Sequence, residues 1–315
     1  FKNQTSYANL SSKTAQPVAT DPKGKQTERV DTYNQFSRPQ KFGFIETRPY
    51  IAMRQTYFSR NNDSATNFMR GVFYSGADLS TKFYRLFNAE VNFADLNIHK
   101  IRHIITPTIS YAYIHPPTVP PSKLIQFDEV DSINRQNQVT LSLENKLQTK
   151  RSGTSVDLLR FLLSTSRQFK QKPKGTRFNH LTSDLEIRPY SWLNFYADSD
   201  YDMRLRKFST ANIDLAASGG DHWYFGVGQR YQREVSNQTT AEVAYRLNPK
   251  WKVRAYERFE AKENSLKEQE YTIYRDLHCW TMEISFNSTR GQGNTLWIIF
   301  RIKAFPRMGL EFNNS

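Results

Sequence analysis

Four cations in the last quarter of the chain, Arg254, Arg258, Arg301 and Lys303, are the side chains best suited to hold an anion. Each falls on the side of an alternating stretch opposite large apolar residues, Trp251 and Val253 in one stretch, Ile298 and Phe300 in the other. Guanidinium forks bind phosphates and acidic sugars through paired hydrogen bonds, so these residues suggest recognition of acidic groups and not bond making. Asp128 and Asp131 stand in a polar stretch that runs into the alternating segment 138–147. Carboxylates there fix a loop by pairing with arginines, or hold divalent cations among anionic groups. The loop-fixing role is the simpler of the two.

Other chemistry is thin. His99 and His103 share a strand face but lack a third ligand nearby, and a metal site needs one. Asp198, Asp200 and Asp202 also share a face, where carboxylates are more often solvated or paired with arginines than bound to calcium. "RGQGN" at 290–294 is a hairpin turn and not a phosphate-binding loop. No metal, cofactor or enzymatic activity is expected; a nucleophile and its base would meet only in space, not in the order of the chain. Cys279 is the single cysteine, so any disulfide it makes must reach another segment or chain.

The elements that carry these residues are strands. From Lys41 onward apolar and polar residues alternate: Trp251, Val253, Ala255 and Phe259 oppose Lys252, Arg254, Tyr256 and Arg258. Likewise Trp280, Met282, Ile284 and Phe286 oppose Thr281, Glu283 and Ser285. A period of two marks a strand. Roughly 14 to 16 strands are expected, several longer than ten residues, with tight turns at Asn248-Pro249 and at 218–221. Long excursions are expected at 114–137 and 259–270. Residues 1–40 are rich in Ser, Thr, Gln, Lys and Asn, and read as a polar loop or strand remnant with partial disorder. Pro49, Pro107 and Pro189 lie in or beside strand patterns, where proline deletes a ladder hydrogen bond. Pro107 and Pro189 read as strand-end punctuation; Pro49 is a candidate point of weakened pairing.

Composition narrows the class. The 315 residues carry a net charge of +14 and 14 % aromatics, with only 38 % hydrophobic residues. The charge implies an anionic partner: nucleic acid, phosphate-bearing lipid or an acidic small molecule. No run of about 18 apolar residues exists, which excludes a membrane-spanning helix but not a barrel, whose strands are half polar. Strands of about 9–11 residues with apolar faces fit an all-β, antiparallel transmembrane barrel better than a sandwich of shorter strands. Lipid offers no hydrogen-bond partners, so such a sheet must have its edges paired.

Several segments, in order, resemble one family. They are "RHIITPTISYAYIHPP" (102–117), "QFDEVDSINRQNQVTLSLENKLQTK" (126–150), "VDLLRFLLS" (156–164), "YRDLHCWTMEISF" (274–286) and "LWIIFRIKAFPRMG" (296–309). Together they resemble the C-terminal barrel region of the LptD (OstA/Imp) family of lipopolysaccharide-assembly proteins, from about residue 40 to the end. The resemblance implies a large barrel in the outer membrane of a Gram-negative bacterium that delivers lipopolysaccharide to the outer leaflet through a lateral opening. It implies a plug lipoprotein, LptE, and a periplasmic bridge with LptA as partners, alongside membrane lipids and without nucleic acid. Residues 41–315 would then be the barrel region. The family's N-terminal periplasmic jelly-roll domain is absent from this chain, which reads as processed or partial because it begins at Phe1 without a leader. Family cysteines before a C-terminal aromatic residue bond to that domain, and here only Cys279, beside Trp280, could do so. Arg254, Arg258, Arg301 and Lys303 would line the headgroup path, or else form part of a polar lumen of mixed charge.

Two rivals remain. A basic porin or anion-selective channel would use the same cations for selectivity. A soluble nucleic-acid binder would interleave aromatics with Lys and Arg on one face, whereas here they mostly oppose each other.

Overall fold

Strand-forming alternation is realised through nearly the whole chain. A computed structural model describes residues 1–12, 25–61, 66–91, 96–151, 153–169, 178–304 and 309–314. Within them the strands are β1 (Lys2–Ser12), β2 (Lys25–Ser37), β3 (Gln40–Phe42), β4 (Ile45–Arg60), β5 (Thr66–Thr81), β6 (Phe83–Val91) and β7 (Ile98–Ile114). A 3-10 turn (Pro121–Lys123) and the one-turn helix α1 (Glu129–Ser132) follow, then β8 (Gln136–Arg151), β9 (Thr154–Gln168), β10 (His180–Tyr190), β11 (Leu193–Asp202) and β12 (Lys207–Ser218). The chain continues through β13 (Trp223–Gln232), β14 (Ser236–Asn248), β15 (Trp251–Glu260), β16 (Ser265–Asp276), β17 (Trp280–Thr289), β18 (Gly293–Ile302) and β19 (Gly309–Asn314). These nineteen strands belong to one sheet, more than the 14 to 16 expected. The fold is all-β, and every register that is set is antiparallel, as between β4 and β5 or β15 and β16.

Two expectations need correction. Residues 2–12 and 25–37, read as a polar loop or strand remnant, are full strands paired residue for residue, from Lys2 with Gln35 to Ser12 with Lys25; residues 13–24 lie outside the described residues. The stretch 259–270, read as a long excursion, contains only the turn 261–264 between β15 and β16. Glu260, Glu268 and Glu270 are strand residues facing inward, for the reason given next, while Lys262 and Glu263 stand in the turn.

The chain forms two compact units, one of residues 1–82, 106–143 and 165–179, the other of 83–105, 144–164 and 180–315. In each, the usual distribution of side chains is reversed. The first unit buries Thr27, Arg29, Asp31, Thr56, Arg70 and Asp131 beside a small apolar group of Ala52, Phe58, Val72, Leu124 and Ile125. Its other face exposes Ile51, Met53, Met69 and Phe73, which pair across β4 and β5 as Met53 with Phe73 and Tyr57 with Met69. The second unit buries Thr149, Asp202, Glu260, Ser265, Thr272 and Ser285, and exposes Val243, Tyr245, Ile273, Phe286 and Leu296. Trp280, Ile284, Ile298 and Phe300 are not buried. A water-soluble protein hides its large apolar side chains. A sheet that hides its polar ones and shows contiguous apolar surface has hydrocarbon as its solvent.

The prolines mark interruptions. β2 and β3 run along the same edge of β4 in one register, and their break falls at Arg38 and Pro39, opposite Pro49 and Arg48. Arg38 N–H donates to the Pro49 carbonyl at 3.1 Å. In such a pair the second bond would come from the N–H that proline lacks, so the missing bond is on the β2–β3 side, not on the β5 side. Pro107 repeats the device: it lies between Thr108, paired with Ser80, and Ile105, paired with Phe83, where β5 gives way to β6. Pro189 sits in the register shift between Ile187 and Tyr190.

Candidate functional site

The buried face of the first unit is built in cross-strand layers. Along β4 the inward residues are Glu46, Arg48, Tyr50, Ala52, Arg54, Thr56 and Phe58, and each has partners on β2 or β5. At the Phe58 end, Arg29, Phe58 and Phe68 form one layer and Asp31, Thr56 and Arg70 the next. Phe58 and Phe68 stack at 5.3 Å. Thr56 Oγ1 donates to Asp31 at 2.7 Å, and Arg54 Nε lies 3.4 Å from the same carboxylate. The following layer is Tyr33, Arg54 and Val72; Tyr33 meets Tyr74 of the layer beyond edge to face at 5.7 Å, with the Arg54 guanidinium over the Tyr33 ring.

The loop after β7 closes on this face. His115 N–H and Thr118 N–H donate to the carbonyls of Phe73 and Gly71, so its first residues continue along β5. It then turns inward, burying Leu124 and Ile125. Asp128 caps α1 by accepting from Val130 N–H at 2.9 Å, while Asp131 accepts from the Phe127 and Asp128 amides at 3.0 and 3.3 Å. Arg29 joins both carboxylates: its Nη1 donates to Asp128 at 2.7 Å and to Asp131 at 2.8 Å, and its Nη2 completes a fork on Asp128. Arg70 takes the other end of the turn, donating from Nη1 to the Val130 carbonyl at 2.8 Å and from Nη2 to the Ile133 carbonyl. Asp131 is 0 % exposed, whereas the Asp128 side chain is 43 % exposed. The Arg29 hydrogen bonds hold the Asp128 carboxyl below its ordinary value of 3.8. Asp128 and Asp131 are thus brought together with two arginines that the sequence did not single out. One signal was legible: Thr27, Arg29 and Asp31 keep strict two-residue spacing inside a segment that composition marks as loop.

The four cations proposed from sequence lie in the second unit, and each has an acidic neighbour: on an adjoining strand for the three arginines, and at the end of β16 for Lys303, which stands just past β18. Arg254 bridges Glu242 (2.7 Å) and Glu270 (2.5 Å). Arg258 is 3.2 Å from Glu268, Arg301 is 2.5 Å from Glu283, and Lys303 pairs with Asp276. Glu144, Arg160 and Asp184 continue the pattern across β8, β9 and β10. Cys279 is exposed, in the turn between β16 and β17. The Asp198–Asp202 row is divided among partners: Asn212 donates to Asp198, His180 bonds Asp200, and Asp202 accepts the Arg204 and Leu205 amides. His103 bonds Asn145, and His99 precedes the bulge at Lys100 (φ 58°). Among the described residues no three His, Cys, Asp or Glu side chains gather as metal ligands.

Comparison with known proteins completes the description. Solved structures of Rhodopseudomonas blastica porin, a double mutant and a triple mutant among them, align over 99 % of both chains. Their sequence identity is 9 % and the TM-score 0.41, too low to carry weight. Among curated proteins no relative matches. The family profile described as "LptD: LPS transport system D" matches residues 1–251. That span takes in the first forty residues, which the resemblance in sequence left out, and ends before 274–286 and 296–309. On this match the chain belongs to the LptD family, and it is an outer-membrane β-barrel protein of Gram-negative lipopolysaccharide assembly.

Proposed function

We propose that the buried polar face lines the route of the lipopolysaccharide headgroup, while the acyl chains travel against the apolar exposed face and leave by a lateral opening. The observation that carries this is the reversed burial: Arg29, Asp31, Thr56 and Thr272 are hidden while Ile51, Met69 and Ile273 are presented. A sugar-phosphate headgroup needs polar groups along its path, and acyl chains need an apolar wall. Passage then involves no covalent step in this chain. Arg254, Arg258, Arg301 and Lys303 serve the route as neutralised pairs, so that a phosphate meets a wall of alternating sign rather than a trap of bare cations.

Family membership supports finer assignments of partners: LptE as the plug and LptA as the periplasmic donor, the latter through an N-terminal jelly-roll domain. We place the start of the barrel region at β1, not at residue 41, since β1 and β2 fall within the family match. Cys279, in its exposed turn, is proposed to bond to a cysteine of another segment or chain. Pro49 is proposed as a point where β4 parts more readily from β2 and β3.

The test replaces Arg254, Arg258, Arg301 and Lys303 together by Gln. Five carboxylates are then left without their cations, and surface lipopolysaccharide, measured by outer-leaflet labelling, should fall while the heat-modifiable folded band persists. Wild-type levels of surface lipopolysaccharide would count against a headgroup route past these residues.

A further inference from the structure

Three rows on the buried face of the first unit step from long side chains to short ones. Across β4, β5 and β7 they read Glu46–Ser80–Thr108, Arg48–Asp78–Ser110 and Tyr50–Gly76–Ala112. The β4 column is bulky while the other two columns are small, and a cavity of about 690 Å³ lies along the Glu46 and Arg48 rows. Its lining is hydroxyl, carboxylate and cation, chiefly Glu46, Arg48, Asp78, Ser80, Thr108 and Ser110. Tyr50 and Gly76 form the row next to Arg48 and Asp78, beside the residues that line the cavity. A Cβ on Gly76 would lie 2.6 Å from Tyr50 Oη, 2.7 Å from its Cε1 and 2.3 Å from the Tyr111 carbonyl. The Tyr50 phenol therefore lies over the glycine, in contact that no larger residue would permit. Arg48 donates to a single oxygen of Asp78 from Nε (3.2 Å) and Nη2 (2.8 Å), and its side chain remains 63 % exposed. A guanidinium has five N–H groups, so donors remain for a second acceptor.

The ligand can be read from that combination. An acyl chain would desolvate these polar groups without replacing their hydrogen bonds. An inorganic anion uses the arginine but not the ring or the hydroxyl row. A phosphorylated sugar uses all of them: a C–H face for the phenol, a rim of hydroxyls for Asp78, Ser80, Thr108 and Ser110, and an acidic group for Arg48. We infer that this trough is a binding station for the sugar-phosphate part of the glycolipid, with Tyr50 under a sugar ring and Arg48 on its anionic group. The station rests on the headgroup route proposed above and adds to it a defined stopping place.

The probe is the fluorescent phosphorylated oligosaccharide of deacylated lipopolysaccharide, titrated against the full protein in detergent, with its dephosphorylated form and inorganic phosphate as competitors. Ser110→Trp, which fills the trough, and Tyr50→Ala, which removes the ring, should each weaken binding by about tenfold or more. Tyr50→Trp keeps a ring and should stay within about threefold of the wild type. As a measurement independent of those variants' folding, a photoreactive residue at Thr108 should crosslink lipopolysaccharide in cells, and one at Ile109, on the exposed face, should not crosslink its sugar. Inorganic phosphate competing as well as the oligosaccharide would overturn the sugar assignment. Undiminished binding in Ser110→Trp with no crosslink at Thr108 would overturn the station while leaving the route intact. A wild-type protein that neither binds nor crosslinks the oligosaccharide anywhere on its buried face would overturn both.

Discussion

Replacing Arg29 by methionine should free the 115–135 loop from the polar face without unfolding the sheet. Methionine keeps the unbranched stem and removes only the charged fork that meets Asp128 and Asp131. Removing one partner of a buried pair costs about 3–5 kcal/mol, because the other charge is left uncompensated. Two carboxylates lose their cation here, and they weigh differently. The Asp128 side chain is 43 % exposed and rehydrates, so its share falls to the ~0–1 kcal/mol of a surface pair. Asp131 is 0 % exposed and keeps only the amides of Phe127 and Asp128 as donors. The sum is about 3 kcal/mol, nearly all from Asp131. In local opening that is roughly a hundredfold. Hydrogen exchange read on peptides spanning 124–133 should show that loss of protection, with peptides from β13 to β17 unchanged. Replacing Asp128 and Asp131 by Asn in the same background should restore most of it, since no buried charge then remains. Unchanged exchange at 124–133 in Arg29→Met, or a loss spread equally over β13 to β17, would refute the reasoning.

Acid should loosen the same loop late, and by no more than the ~0–1 kcal/mol of the exposed Asp128 pair. The Asp128 carboxyl is depressed in the folded state, so its contribution is fully present above its ordinary value of 3.8 and is lost as the pH falls from there through the depressed value. Loop protection that declined already between pH 7 and 5 would contradict this. Pro49→Ala should supply the N–H that pairs with the Arg38 carbonyl, stabilising the β2–β3 edge by about 0.5–1.5 kcal/mol; slower exchange at residues 36–41 checks it, and slower exchange confined to β5 would show the donor on the other side. Arg254→Gln leaves Glu242 and Glu270 without their shared cation and should cost about 1.5–3 kcal/mol, seen as a lower temperature of heat modification, with no shift as the contrary result. If Cys279 is disulfide-bonded, a thiol-reactive polyethylene glycol should label the native protein only after reduction; labelling before reduction sinks the bond.

How much of this was legible beforehand depends on which face carried the signal. From β4 onward one face is apolar and the other polar, and that alternation alone defines strands, their length and the side meant for hydrocarbon. Met53, Phe73, Ile273 and Leu296 are exposed for that reason. In β1 and β2 the signal is weak because the exposed face sets Tyr7, Val30 and Phe36 among polar residues. Their exposed face carries Asn3 bonded to Asn34 and Thr5 to Thr32, a ladder of amides and hydroxyls that reads in one dimension as loop. The misread stretch 259–270 has the same origin. Glu268 and Glu270 look like loop residues until the buried face is known to be the charged one, where they meet Arg258 and Arg254.

The sequence by itself determined that this chain makes long strands with one side for lipid and one for water, since a period of two is a local property of consecutive residues. It did not determine who meets whom. Arg29 reaches Asp131 across 102 positions, and Arg48, Ser110 and Gly76 become neighbours only when β4, β5 and β7 lock their registers. Those registers are set by the whole sheet at once, because moving one strand by a single residue would turn its polar side toward hydrocarbon. Charge pairing and the shape of the trough are consequences of that collective choice, and so belong to the tertiary structure alone.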